Sequence, residues 1–179
     1  MSKGNILFKL TGSIACYKAC NVISKLTQEG YEVKTACTPG ALQFIGLSTL
    51  ESLSGKPVYF DLFERKTALE HIDLNKWADI TVVCPATANI INKFAAGIGD
   101  DCVSTLFLSS DMNKPYLIFP AMNEKMLLHP ATQNSIKILK KWGVKVMDTV
   151  RGHQACGDIG PGRMLEPKQI LELIKKELK

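Results

Sequence analysis

The chain has 179 residues, 46% hydrophobic and 22% charged, with a formal net charge of +5. That length suits one domain with a real core, and the composition excludes a disordered or fibrous protein. Basic residues cluster only at Lys175, Lys176 and Lys179, so no nucleic-acid partner is expected.

The opening MSKGNILFKLTGS passes directly into a strand pattern and lacks the apolar segment of a secretory signal. No run is long enough to span a membrane, so a cytoplasmic protein without a membrane partner is expected. The six cysteines then read as thiols. Cys16 and Cys20 share a helix face; Cys37, Cys84 and Cys102 sit in apolar runs. With no C-x-x-C and no histidine at ligand spacing, no metal site is expected.

Asn5–Leu10 reads as a strand that ends at Thr11-Gly12-Ser13. Ile14–Gln28 has helical spacing and is closed by Gly30. A strand, a small-residue turn and a helix place free amides around a phosphate, and without G-x-G-x-x-G a mononucleotide fits better than a dinucleotide. Glu32–Cys37 is a second strand, followed by a helix over about Ala41–Leu50. Thr38 is placed either to cap that helix or to meet a ligand. Ser54–Lys66 reads as an irregular or short-strand link, and His71 precedes the buried strand Asp79–Cys84, separated from it by a polar link containing Trp77. Pro85–Asn89 is a turn, and a helix follows from about Ile90 to Ala96. Asp100–Ser110 reads as further helix and Lys114–Phe119 as a buried strand. Asn123 stands where an N-cap is expected. Gln133–Lys141 is an amphipathic helix, Val144–Met147 a strand and Pro167–Leu178 a terminal helix.

Apolar strands alternating with helices predict an α/β, three-layer Rossmann-like or flavodoxin-like domain. Its parallel sheet is covered by helices on both faces. The small-residue turns fall at C-terminal strand ends, where such sheets bind ligands. The glycine-rich stretch Arg151–Met164 reads as a loop, because its four glycines and Pro161 suit no regular element. It carries Arg151, His153, Cys156, Asp158 and Arg163, and long loops with reactive groups serve as lids or binding loops.

Several motifs occur together and in order: TGSIACYK, His71 in HIDLNKWAD, PATAN, PAMNEKM and ACGDIGPGRM. Over nearly the whole chain this pattern resembles the flavin-dependent cysteine decarboxylases (HFCD flavoproteins), most closely their coenzyme A-synthesis branch. One departure is Leu127, where the family often has Trp. The resemblance implies FMN-dependent decarboxylation of 4′-phosphopantothenoylcysteine to 4′-phosphopantetheine through thioaldehyde and enethiolate intermediates. It implies catalytic roles for His71 (proton handling), Asn123 (substrate carboxylate and amide) and Cys156 (protonation of the enethiolate). It places Gly12, Ser13, Ile14, Thr38, Thr87, Ala88, Asn89 and Ala121 at FMN, and Asn123, Met126, Ala155, Asp158 and Arg163 at the substrate. It further implies a mobile substrate clamp over about residues 151–166 and a homo-oligomer, a trimer or an assembly of trimers, with FMN at subunit boundaries. The alternatives are an oxidative peptidyl-cysteine decarboxylase, against which Cys156 argues, a non-catalytic flavin-binding regulatory protein and a flavin prenyltransferase. A chain of this length leaves no room for the ligase of the preceding step, so a separate synthetase is expected.

Overall fold

The computed structural model describes residues 2–62, 69–153, 157 and 159–178. Strand β1 (Asn5–Leu10) leads through helix α1 (Cys16–Gln28) to β2 (Glu32–Cys37), α2 (Leu47–Ser54) and β3 (Val58–Tyr59). Helix α3 (Glu70–Trp77) precedes β4 (Ile80–Ala86), α4 (Ala88–Ala96), α5 (Cys102–Leu108) and β5 (Tyr116–Pro120). Then come α6 (Glu124–Leu128), α7 (Pro130–Lys141), β6 (Lys145–Val146), β7 (Val150–His153), β8 (Ile159–Arg163) and α8 (Pro167–Glu177).

Strands β1 to β6 form a six-stranded sheet in the order β3-β2-β1-β4-β5-β6, and every pairing in it is parallel. This is the Rossmann-type order, which reverses direction between β1 and β4. The predicted three-layer architecture is borne out. Alternate residues of β1 feed two cores, as the two-residue period of a strand requires. Ile6, Phe8 and Leu10 pack with α1, α2 and α8, whereas Leu7 packs with α3, α4, α5 and α7. In the second core Phe94 and Phe107 stack at 4.1 Å, with the Tyr116 ring edge-on to Phe107 at 5.3 Å.

The structure corrects four expectations. Stretch 151–164 is not a loop throughout: β7 and β8 pair antiparallel, Gly152 opposite Gly160 and His153 opposite Ile159. Both strands of a two-stranded ribbon are edges, so Pro161 is tolerated there. The ribbon lacks an apolar face, which removes the alternation that announces a strand. Helix 41–50 is instead a 3-10 turn, Ala41–Gln43, followed by α2, because Gly46 is extended at the start of α2. The polar link between His71 and the strand is instead helix α3, which holds His71 in its first turn and Trp77 at its end. Helix α5 is a separate element, started by a reciprocal capping box between Asp101 and Ser104.

Lys9 of β1 points into the second core and is fully buried. Its ammonium donates to the Tyr116 hydroxyl at 3.1 Å, while the buried Tyr59 hydroxyl has no partner among the described residues. Burial lowers the Lys9 pKa from 10.5 to about 7, against a smaller opposing effect of Cys102. Above pH 7 the unfolded chain therefore holds this proton more tightly than the folded one, so folding stability rises with pH. Burial also raises the Cys37 and Cys102 thiols from 9 to about 12, so stability falls once the unfolded thiols ionise above pH 9. Urea unfolding of Lys9→Met should lose the rise between pH 7 and 9, on the order of 1–2 kcal/mol; the same slope in wild type and variant would overturn this account. Gly12 tests the packing of the turn after β1, because a Cβ there would stand 2.9 Å from the Gly40 backbone. Gly12→Ala is expected to cost about 1–3 kcal/mol, read as a lower urea midpoint at unchanged m value.

Candidate active site

The turns that follow β1 and β4 diverge at the point where the strand order reverses, and one hydroxyl joins them. Thr11 Oγ1 donates to the Pro85 carbonyl at 2.8 Å and accepts from the Thr87 amide at 3.0 Å. Thr87 in turn caps α4, accepting from the Ile90 amide. The Ala121 amide donates to the Ala86 carbonyl at 2.9 Å, which brings the turn after β5 alongside. Asn123 caps α6 as expected, its Oδ1 accepting from the Lys125 amide at 2.8 Å.

The ribbon β7–β8 lies against these turns. The Met122 amide donates to the Gly162 carbonyl at 3.0 Å, and the Gly162 amide donates to Thr149 Oγ1 at 3.0 Å. A Cβ at Gly160 would collide with the Glu124 carboxylate, which would have to swing aside. Between the ribbon, the start of α1 and the turn after β5 runs a cleft of about 540 Å³. Ser13, Ile14 and Tyr17 line one side, Ala121 and Asn123 another, and His153 and Arg163 a third.

The charge of this cleft comes from α1 and the ribbon. Lys18 Nζ donates to Glu166 Oε1 at 2.8 Å, and Arg163 Nη2 donates to the same oxygen at 2.8 Å. The hydrogen bond from Lys18, supported by Arg163, holds the Glu166 carboxyl below its ordinary range. The amides of Gly12, Ser13 and Ile14 donate to no acceptor among the described residues. Lying just ahead of α1, they are available to an anion.

The structure brings Ser13, Ile14, Ala121, Asn123 and Arg163 to the cleft. Gly12 and Thr38 are not among the residues lining it; Gly12 packs on Gly40 and Thr38 Oγ1 accepts from the Ala41 amide at 3.3 Å. Thr87, Ala88 and Asn89 form the start of α4 at the neighbouring strand end. Met126 on α6 and His71 on α3 are not among the residues lining the cleft. Ala155, Cys156 and Asp158 lie outside the described residues. Sequence reasoning missed Tyr17, Lys18 and Glu166 as site residues. Lys18 did carry a signal, because it shares the buried face of α1 with Ala19 and Val22, where a lysine needs a partner.

A family model described as Flavoprotein matches residues 1–179. The chain is 40% identical over 173 residues to the coenzyme A biosynthesis bifunctional protein CoaBC of Vibrio vulnificus, covering 96% of this chain and 43% of that protein. It therefore spans less than half the length of that curated relative. Among solved structures, a PPC decarboxylase mutant complexed with pantothenoylaminoethenethiol superposes with a TM-score of 0.88 at 28% identity, covering 97% of both chains. The FMN-binding protein AtHal3 gives 0.86 at 30% identity, covering 97% of this chain and 96% of the other. The resemblance read from the ordered motifs is thus borne out over the full length, and the chain belongs to the flavoprotein family.

Proposed function

We propose that the chain binds FMN and decarboxylates 4′-phosphopantothenoylcysteine to 4′-phosphopantetheine in coenzyme A biosynthesis. The observation that carries this reading is the cleft at the strand reversal. Unused amides stand at one end of it and Asn123 on its wall, within a fold that matches a PPC decarboxylase over 97% of both chains. The residues fit a flavin mononucleotide. The Gly12–Ile14 amides and Ser13 suit its phosphate, with Thr38 and the Thr87–Asn89 turn beside them, and Ile14 and Ala121 offer apolar surface to a ring. Bound there, FMN supplies the electron acceptor, and afterwards the donor, that no side chain provides.

The chain's own groups do the rest. Asn123, fixed by its cap bond at the head of α6, presents a side-chain amide able to hold the substrate carboxylate and amide. With Met126, Ala155, Asp158 and Arg163 it forms the substrate-binding set, the stretch about 151–166 acting as a clamp that excludes water. His71 moves the proton in the oxidation and decarboxylation half, its imidazole offering one donor and one acceptor nitrogen. Cys156 returns a proton to the enethiolate carbon, a role its S–H can fill. His71 does not line the cleft of its own chain, which supports a site that a second copy completes. A homotrimer or an assembly of trimers with composite sites is therefore part of the reading. So is a cytoplasmic location, which suits the free thiols at Cys16, Cys20, Cys37, Cys84 and Cys102.

Purified protein should be yellow and convert 4′-phosphopantothenoylcysteine to 4′-phosphopantetheine by mass spectrometry. Cys156→Ser should stop at the oxidised enethiol product. A colourless protein, or a yellow one inert to this substrate, would sink the assignment, and turnover of a peptide ending in cysteine would favour the oxidative alternative. Composite sites are tested by mixing two inactive variants, His71→Asn and Asn123→Ala, under conditions that exchange subunits. Recovery of activity is expected, alongside a trimer mass or a multiple of it in native mass spectrometry; no recovery would place both residues in one chain's site.

A further inference from the structure

The basic side chains that line the cleft are Lys18, His153 and Arg163, and no acidic side chain lines it among the described residues. Lys18 is an unusual part of a core-facing helix surface. Its side chain is only 7% exposed, and its ammonium pairs with one carboxylate, Glu166, which is itself 48% exposed. A buried ammonium is costly unless paired, so the chain spends an ion pair to hold a cation at this wall. Arg163 then places a second cation on the same Glu166 oxygen. Two positive charges share one negative charge. An ammonium has three donors and a guanidinium five, so one carboxylate oxygen leaves most of them to other acceptors.

The position of Arg163 is also built. Its side chain lies across Gly152 of the opposite strand, where a Cβ would stand 3.1 Å from Nη1 and 3.3 Å from Cδ. Gly152 below and Glu166 at Nη2 thus hold the guanidinium over the cleft from two sides. A planar fork beside a point charge suits the terminal oxygens of a phosphate. The free amides of Gly12–Ile14 form a separate anion site ahead of α1, so the cleft offers two such sites. We propose that Lys18 and Arg163, held in place by Glu166, form a subsite for a phosphate monoester. The choice of ligands rests on the function proposed above, whose cofactor and substrate each carry one such group. Glu166 is a positioning residue here, and Lys18 and Arg163 make the contact.

The experiment compares binding of phosphorylated and dephosphorylated partners by titration calorimetry in wild type, Arg163→Gln and Lys18→Gln. FMN and riboflavin form one pair on apoprotein; 4′-phosphopantetheine and pantetheine form the other on holoprotein. The preference for the phosphorylated member should fall at least tenfold in both variants for one of the pairs, and Lys18→Arg, which keeps the charge, should retain it. A fall in the pantetheine pair assigns the subsite to substrate, and a fall in the FMN pair assigns it to cofactor. Preferences unchanged in both pairs, or equal weakening of both members, would overturn the subsite and leave the ion pairs as a brace for the ribbon. Failure of the proposed function shows up separately, as wild-type protein that binds neither pantetheine ligand, and the FMN pair then still decides the subsite. Circular dichroism of Arg163→Gln, whose side chain is 41% exposed, guards against a folding artefact at the more buried Lys18.

Discussion

The Thr11 hydroxyl sits where the two halves of the sheet part company, between the carbonyl of Pro85 and the amide of Thr87. Parallel strands with helices on both faces must reverse their winding somewhere, and at that point neighbouring loops leave in opposite directions. A gap opens there whose backbone groups lack partners. Thr11 fills the bottom of the gap with one donor and one acceptor, so the turns stay at a fixed separation without closing. Everything else in the cleft is positioned from those turns. Ser13 and Ile14 follow from Thr11, α4 from Thr87, and the turn after β5 hangs on Ala86 through the Ala121 amide.

Close backbone approach does the second part of the work. Gly12 against Gly40 lets the turns after β1 and β2 touch, and Gly160 against Glu124 lets the ribbon settle over the head of α6. The Met122–Gly162 hydrogen bond then ties the ribbon to the same turn that carries Asn123. A two-stranded ribbon is marginal by itself, so this seating is what gives it a defined place. The consequence is chemical. Arg163 arrives beside Lys18 in the cleft that Asn123 also lines, and the shared Glu166 oxygen keeps two like charges together.

Much of this could be read from residue order. Buried strands such as ILFKL and ITVVC have no polar alternation, which fixes a doubly covered parallel sheet, and the caps at Thr87 and Asn123 stand where their side-chain chemistry demands. The ordered motifs placed Ser13, Ala121, Asn123 and Arg163 near one another before any coordinates. These are short-range signals, carried by spacing and side-chain type. Glycine-rich stretches were misread for the same reason. In 151–164 Gly152 and Gly160 make room for the Arg163 and Glu124 side chains, and a neighbour such as Glu124, 36 residues earlier in the chain, leaves no trace in local pattern.

What the sequence by itself determined is therefore the class of fold and the strand ends beside which the cleft opens. Periodicity and capping are local properties, and they need no knowledge of distant neighbours. What only the tertiary structure decided is which charges meet. Lys18 and Glu166 are 148 residues apart in the chain, and they pair because α1 and the start of α8 pack on the same face of the sheet. The same packing put α3 on the opposite face with its own core, which is why His71 stands away from a cleft that its motif had suggested it would share.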